Sequence, residues 1–480
     1  MGRSPCHPSL NCGGHDPPKE MNKFSFLKGE FYDNLSAMEG ELKAVIQDKI
    51  IEGLSAQVPL LTRRDVYLPS VPGKALAVIG MRRSGKTTFL WQCLADQLAA
   101  GAPRESLLYF NFEDDRLAGL AAKDLHHLIE IYFQLHPGFR DKKIVRLYLD
   151  EIQLVSGWES FVRRVMDSEK VEVMLTGSSA RLLSREIATS MRGRALEVLV
   201  HPFSFREYLA HRDAAVSQPF SKLTKAAKST LLRHFDEYLS QGGFPEVQKA
   251  VERDRDALLR SYVDVAMLRD VIERHSVSNP TALRWLVRQL LGNAAGTFSA
   301  QKFFDTLKSQ GISVAKDTVH AYVGHLEDAF LIRTVCMHSG SERQRMVNPR
   351  KAYPVDPGLI RVFDRTRRTN IGHALETAVL LELERRGASI GYLRTASGYE
   401  VDFHADYPDG TLQLIQVCAD LSSKETLERE TRALTDALAA HPQAVPLLLS
   451  MDALPPPALP PSIYWQSAAA WLLGDPLATA

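Results

Sequence analysis

The sequence predicts an α/β protein: a parallel sheet of the P-loop NTPase type with helices on both faces. Three observations predict it. Apolar runs of strand length alternate with helical segments between about residues 75 and 176. The first run, Ala75-Leu-Ala-Val-Ile79, leads into Gly80-Met-Arg-Arg-Ser-Gly-Lys-Thr-Thr88 and then into Phe89-Leu-Trp-Gln-Cys-Leu-Ala95. A later run, Val145-Arg-Leu-Tyr-Leu149, is mostly apolar, as a buried parallel strand should be, and ends on Asp150 and Glu151.

Residues 80–87 spell G-x-x-x-x-G-K-T between a strand and a helix, which is the context a phosphate-binding loop needs. Gly80 and Gly85 let backbone N–H groups close around phosphate oxygens. Lys86 can reach the β- and γ-phosphates and Thr87 can ligate Mg²⁺. The following helix turns its positive N-terminal end toward the same anion. Ser84 and Thr88 complete the loop. Arg82 and Arg83 contact either phosphate or a neighbouring acidic side chain. The expected ligands are ATP and Mg²⁺. The acidic pair comes about 65 residues later, at the sheet edge where ligands bind in open α/β folds. Asp150 would then support the Mg²⁺ shell, and Glu151 would orient and deprotonate the attacking water. Either motif alone has a bland reading, a chance glycine turn or a solvated acidic pair; their order and spacing argue against both.

The remaining elements follow in chain order. Residues 26–60 carry helical spacing in Leu42, Val45, Ile46, Ile50 and Ile51, a lead-in to the nucleotide domain. Leu107-Leu-Tyr-Phe-Asn-Phe112 reads as a strand, Leu125–Leu135 and Trp158–Met166 as helices, and Val171-Glu-Val-Met-Leu-Thr176 as another strand. Thr176 and Ser178 are placed to sense a γ-phosphate, or to cap a turn and helix. Arg192 and Arg194 in Met191-Arg-Gly-Arg194 could stabilise transition-state charge in cis or across a subunit boundary, or form a solvated basic loop. Gln241-Gly-Gly-Phe-Pro-Glu246 breaks a helical stretch, and Arg253–Arg274 is another.

Three short helical segments and a strand between residues 283 and 340 match a winged helix-turn-helix, with Lys316, Thr318, His320 and Tyr322 expected near its exposed face. Residues 341–370 hold eight Arg and Lys against three acids, a local excess that could track DNA phosphates or simply face solvent. A helix containing Glu376, strands around Asp402 and Gln416, a helix over 426–438 and a proline-rich turn at 455–461 follow. The domains expected are an extension or misassigned start over 1–40, the ATPase core over 41–210, a helical lid over 211–282, the winged-helix module over 283–340 and a small α/β domain over 341–480. In the first stretch Cys6, His7, Cys12 and His15 are too irregularly spaced to read as a zinc site.

Composition bounds the function without choosing it. The chain has 480 residues, 45% hydrophobic and 24% charged, with a formal net charge of +1, so nucleic-acid contact would need local patches. Five scattered cysteines give no disulfide framework, and no apolar run approaches a membrane span; the expectation is a cytoplasmic protein without membrane partners.

GMRRSGKTTFL, LYLDEIQLVSGWE, TGSSARLL, RGRALEV, HPFSFREYL and QGGFPEV occur in that order. Together they resemble the bacterial and archaeal predicted AAA+ superfamily ATPases that carry a C-terminal domain of unknown function, over about residues 40–440. The resemblance implies an ATP-binding core, a winged-helix middle and a C-terminal domain similar to the restriction-endonuclease-like fold. Such nucleases share a helix glutamate, a strand aspartate and a following (D/E)-x-K. Here Glu376 and Asp402 match and Glu400 lies nearby, but the third motif reads Gln416-Val-Cys418. Gln supplies no anionic ligand and Cys no cation, so this domain is expected to be inactive. Partners implied are ATP, DNA through the winged helix and the 341–370 stretch, and a protein partner or further copies of the chain.

Overall fold

A computed structural model describes residues 40–177, 191, 193–364 and 370–477. Its first sheet contains β1 (Ala75–Ile79), β2 (Leu107–Asn111), β3 (Val145–Asp150), β4 (Val171–Thr176) and β5 (Ala195–Leu199) in the order β2-β3-β4-β1-β5, every pair parallel. The α/β class expected is the one found. Alternation along β1 explains the layering. Ala75, Ala77 and Ile79 join a core with Ile46 and Ile50 of the helix over residues 40–55, and with helices His126–Leu135 and Trp158–Ser168. Val78 joins Phe89, Leu90 and Leu94 of helix Lys86–Ala99 on the other face. The sheet order leaves β1 between β4 and β5, so the loop after β1 opens at a topological switch point.

Helices Pro280–Gly292, Ala300–Ser309 and Lys316–Asp328 pack with a small antiparallel sheet of β6 (Thr297–Phe298), β7 (Ile332–Val335) and β8 (Arg350–Pro354), in the order β6-β8-β7. β8 lies beyond the expected boundary at 340, so that boundary cuts through a paired sheet. Helix Gly358–Phe363 returns to the same core through Leu359 and Val362. Tyr322, expected near the exposed face, is buried, and its hydroxyl accepts a bond from the Asn279 N–H at 3.2 Å. Nor do the described residues of 341–364 make one basic surface. Lys351 is buried and Arg361 pairs with Glu252, while Arg365, Arg367 and Arg368 lie outside the described residues.

The expected lid over 211–282 is divided between two cores. Helix Lys225–Gln241 packs through Leu231, Phe235 and Leu239 with helix Ile371–Arg385. After Gly242 and Gly243 the chain turns back, and helix Glu252–Val265 joins the nucleotide-domain core through Leu259, Tyr262 and Val263. This helix runs on as a π-helix, Ala266–Glu273. The last sheet, β13-β12-β11-β10-β9, is mixed: β9 (Ser389–Arg394), β10 (Glu400–Asp406) and β11 (Leu412–Cys418) are antiparallel, and β11, β12 (Val445–Ser450) and β13 (Tyr464–Ser467) are parallel. Helix Ile371–Arg385 covers one face and helix Lys424–Ala440 the other. Among the described residues no helix is long and apolar enough to cross a membrane.

Candidate functional site

The loop after β1 owes its shape to close backbone approach. A Cβ on Gly80 would lie 2.3 Å from the Val200 carbonyl oxygen, so only glycine fits. Gly85 caps helix Lys86–Ala99 at φ 98° with no side-chain cap bond. The first-turn N–H groups of that helix thus keep their capacity to bind an anion. The Lys86 ammonium is buried and donates to the carbonyls of Gly80 and Met81, both at 3.1 Å. Burial pushes its pKa down, with the Glu151 carboxylate pulling the other way. The buried Ser84 hydroxyl has no hydrogen-bond partner. A buried cation resting on two neutral carbonyls, beside an unused hydroxyl, fits a phosphate group.

Asp150 ends β3 facing this loop. Its Oδ1 accepts from Thr87 Oγ1 at 3.3 Å and from Thr176 Oγ1, while Oδ2 accepts from the Tyr109 hydroxyl at 2.8 Å. Facing hydroxyl and carboxylate oxygens are the donors Mg²⁺ takes. Thr176 ends the neighbouring strand β4, and its Oγ1 also accepts from the Glu151 N–H at 2.9 Å. Glu151 has left-handed backbone at φ 56°, unusual for a residue with a Cβ, and its carboxylate accepts from Gln153 Nε2. Lys86, Thr87, Asp150, Glu151 and Thr176 are therefore brought together; Ser178 and Arg192 lie outside the described residues.

A cleft of about 720 Å³ lies over the loop, within the range of small-molecule sites. Lys86, Thr87, Thr88 and Glu151 line one side, and Pro245 and Tyr262 the other. Both loop arginines hold that far wall. Arg82 makes a two-bond pair with Asp270 of the π-helix, at 2.9 and 3.0 Å. Arg83 stands 3.5 Å from Glu246, whose carboxylate accepts from the Tyr262 hydroxyl at 2.6 Å. Of the sequence alternatives for these arginines, the acidic neighbours are the contacts observed.

Arg194 is not brought to the site. Its carbonyl accepts from the Ala75 N–H at 2.8 Å, at the far end of β1, and its guanidinium pairs with Asp167. A five-residue strand, about 16 Å, separates it from the loop, so it cannot serve its own cleft.

Two supports were not legible as site residues. Arg64 is buried; its NH1 donates to the Ser84 carbonyl at 2.9 Å, its NH2 to the His201 carbonyl, and its Nε lies 3.1 Å from Glu207. It ties the loop to the His201–Tyr208 segment, where Ser204 and Glu207 form a capping box. Lys351 of β8 reaches the C-terminal domain, with Nζ 3.0 Å from Glu376, 3.0 Å from Glu400 and 2.9 Å from Asp402. Cys418 supplies no cation to the motif, but β8 brings one to these carboxylates from outside it. Gln416 accepts from the Asp402 N–H at 3.3 Å and donates at 2.6 Å to Glu430, a carboxylate the motif reading missed. Burial and the Asp402 charge push the Glu376 carboxyl up to about 7. Burial would lower the Lys351 ammonium, but the Asp402, Glu376 and Glu400 carboxylates outweigh it and hold its pKa raised.

Comparison with known proteins bears on both halves. The family described as AAA domain matches residues 72–209, and Domain of unknown function (DUF8612) matches residues 232–369. An uncharacterised protein of Methanocaldococcus jannaschii is 33% identical over 402 residues, covering 82% of this chain and 86% of that protein. An uncharacterised protein of Haemophilus influenzae is 31% identical over 345 residues, 72% of this chain and 82% of that protein. Among solved structures, the Walker-type ATPase of Pyrococcus abyssi covers 66% of this chain and 94% of its own at 14% identity and a TM-score of 0.37. The ORC2 protein of Aeropyrum pernix in its ADP form covers 69% and 94% at 14% identity and a TM-score of 0.31.

Proposed function

Because the chain belongs to the family of AAA-domain P-loop proteins that carry a further C-terminal domain, we propose that it is an ATPase that binds ATP with Mg²⁺. It hydrolyses ATP slowly to ADP and phosphate and so drives or gates a conformational change. The observation that carries this reading is the buried Lys86 ammonium, which rests on two carbonyls and faces the cleft beside Thr87, Asp150 and Glu151.

In this reading Gly80, Ser84, Gly85, Thr88 and Lys86 cradle the phosphates through backbone N–H groups and one ammonium. Thr87 and Asp150 hold Mg²⁺, which supplies charge neutralisation on the phosphate oxygens. Glu151 takes the proton from a water that attacks the γ-phosphorus as the bond to the ADP oxygen breaks. Thr176 positions this pair by bonding both the Asp150 carboxylate and the Glu151 N–H. Slow turnover follows from the resting contacts. Arg82 and Arg83 are engaged with Asp270 and Glu246, and Arg194 could contribute only to the cleft of a neighbouring copy. Lys86→Ala should abolish nucleotide binding. Glu151→Gln should retain binding and lose roughly 10²–10⁴-fold in turnover.

A second reading, a nucleotide-gated DNA-binding or scaffold protein with negligible turnover, is favoured by the unit over 280–354. Three helices and a three-stranded antiparallel sheet are the parts of a winged helix. Lys316 and His320 on helix Lys316–Asp328 are exposed, and the same helix packs against the π-helix that carries Asp270. Duplex DNA should then bind with an affinity that falls steeply with salt. No nuclease step belongs to either reading, because Gln416 stands where the motif needs an anionic ligand.

A further inference from the structure

Away from the cleft and the Lys351 cluster, three imidazoles from three elements meet. His338 follows β7, His404 lies on β10, and His441 follows helix Lys424–Ala440. Their ligand nitrogens all lie within 4.8 Å of one another. The rings of His338 and His404 stack with centroids 3.7 Å apart, and His441 stands nearly edge-on to both, at 5.8 and 5.3 Å. The backbone builds this meeting point. His404 pairs with Gly391 in the β9–β10 register, and a Cβ on Gly391 would lie 3.2 Å from the His338 Cβ. Glycine there leaves the room that His338 takes. The His338 N–H donates to the Tyr392 carbonyl at 2.6 Å, which fixes the segment over the sheet. His404 is only 7% exposed. Among the described residues none of the three rings is hydrogen-bonded to another side chain.

His404 is buried, His441 half-buried and His338 exposed, so three imidazoles from three separate elements converge where solvent can still reach them. A metal ion gives this gathering a reason, since neutral imidazole binds Zn²⁺ and its neighbours through either ring nitrogen. We infer that His338, His404 and His441 form a site for one divalent transition-metal ion, Zn²⁺ or the similar Co²⁺. Three protein ligands leave a fourth position for water or an anion. Bonds of about 2.1 Å in tetrahedral array set nitrogens roughly 3.4 Å apart, so the rings close on the ion by side-chain rotation. The ion ties the segment after β7, strand β10 and the end of helix Lys424–Ala440 together. Mg²⁺, which prefers oxygen ligands, does not compete.

The test is titration of the full, untagged chain with Co²⁺ after chelator treatment, following the visible absorption of nitrogen-ligated Co²⁺ and its loss on adding Zn²⁺. One equivalent is expected. His338→Gln and His441→Gln, both away from the core, should each weaken binding at least about tenfold, while His126→Gln should leave it unchanged. His404→Gln should do the same as the first two where it folds. The absence of saturable binding in the wild type would overturn the inference, as would binding undiminished by both surface substitutions.

Discussion

Removing the Lys351 ammonium leaves Glu376, Glu400 and Asp402 facing one another without the cation all three share. Lys351→Met should therefore destabilise the fold by about 3–5 kcal/mol at pH 8. The loss should shrink in acid. The Glu376 carboxyl, raised to about 7 by burial and by Asp402, favours the folded state fully below its ordinary value of 4.5 and loses that contribution as pH rises through 7. Without lysine the shift grows, so the variant should recover most at pH 5; chemical denaturation at the two pH values measures this, and an equal loss at both would contradict it. The same scale shows what the sequence discloses. Lys86, Thr87, Asp150, Glu151 and Thr176 are legible because each ends or begins a local pattern. Lys351, Arg64 and Asp270 are not, because their partners come from remote segments; Arg82 and Asp270 are 188 residues apart. Of the readings for Arg194, the β1–β5 register removes only the one in cis, since it sets this residue at the far end of β1 from the loop.

Among elements, the continuous helix from Glu252 through Glu273 forms much of the cleft's far wall. Its α-helical part supplies Tyr262 to the far wall, and its π-helical part aims Asp270 at Arg82. A π-helix often marks a functional position, and no pattern of apolar residues announced it here. Asp270→Asn should loosen this helix from the loop, seen as faster amide exchange over 252–275 with little change in the first sheet; unaltered exchange would mean the ion pair holds nothing in place. The turn before the helix is equally constrained. Gly242 has φ 77°, and a Cβ there would fall 1.7 Å from Asp356 Oδ1. Gly242→Ala should therefore cost several kcal/mol, beyond the roughly 1 kcal/mol of an ordinary Gly-to-Ala strain, measurable as a lowered denaturation midpoint. The glycine pair was readable as a break, but not as the socket for a carboxylate from residue 356.

On the scale of the whole molecule, two cores cross the expected domain boundaries. One runs from the nucleotide sheet through Phe244, Val247 and Tyr262 into the helices over 280–328; the other joins helices Phe205–His211 and Lys225–Gln241 to the C-terminal sheet. Asp356 clamps the two where they meet, accepting from the Gly243 and Gly358 N–H groups at 2.6 and 2.9 Å. Burial pushes its carboxyl up to about 7 from an ordinary 3.8. Its contribution is therefore fully present below about pH 4 and is lost as pH rises through 7. Thermal stability should fall between pH 5 and 8, and less so in Asp356→Asn; an unchanged slope in that variant would assign the fall to Glu376 instead. Sequence patterns divide a chain into consecutive pieces, whereas these cores are assembled from returning segments, so the class of fold was legible and its partition was not. The central claim concerns the cleft between the loop and the helix over 252–265. The measurement that tests it most directly is equilibrium ATP·Mg²⁺ binding with steady-state hydrolysis, for wild type, Lys86→Ala and Glu151→Gln. The account predicts binding and slow turnover in the wild type, neither in Lys86→Ala, and binding without turnover in Glu151→Gln. Wild-type affinity retained by Lys86→Ala, or turnover retained by Glu151→Gln, would contradict it.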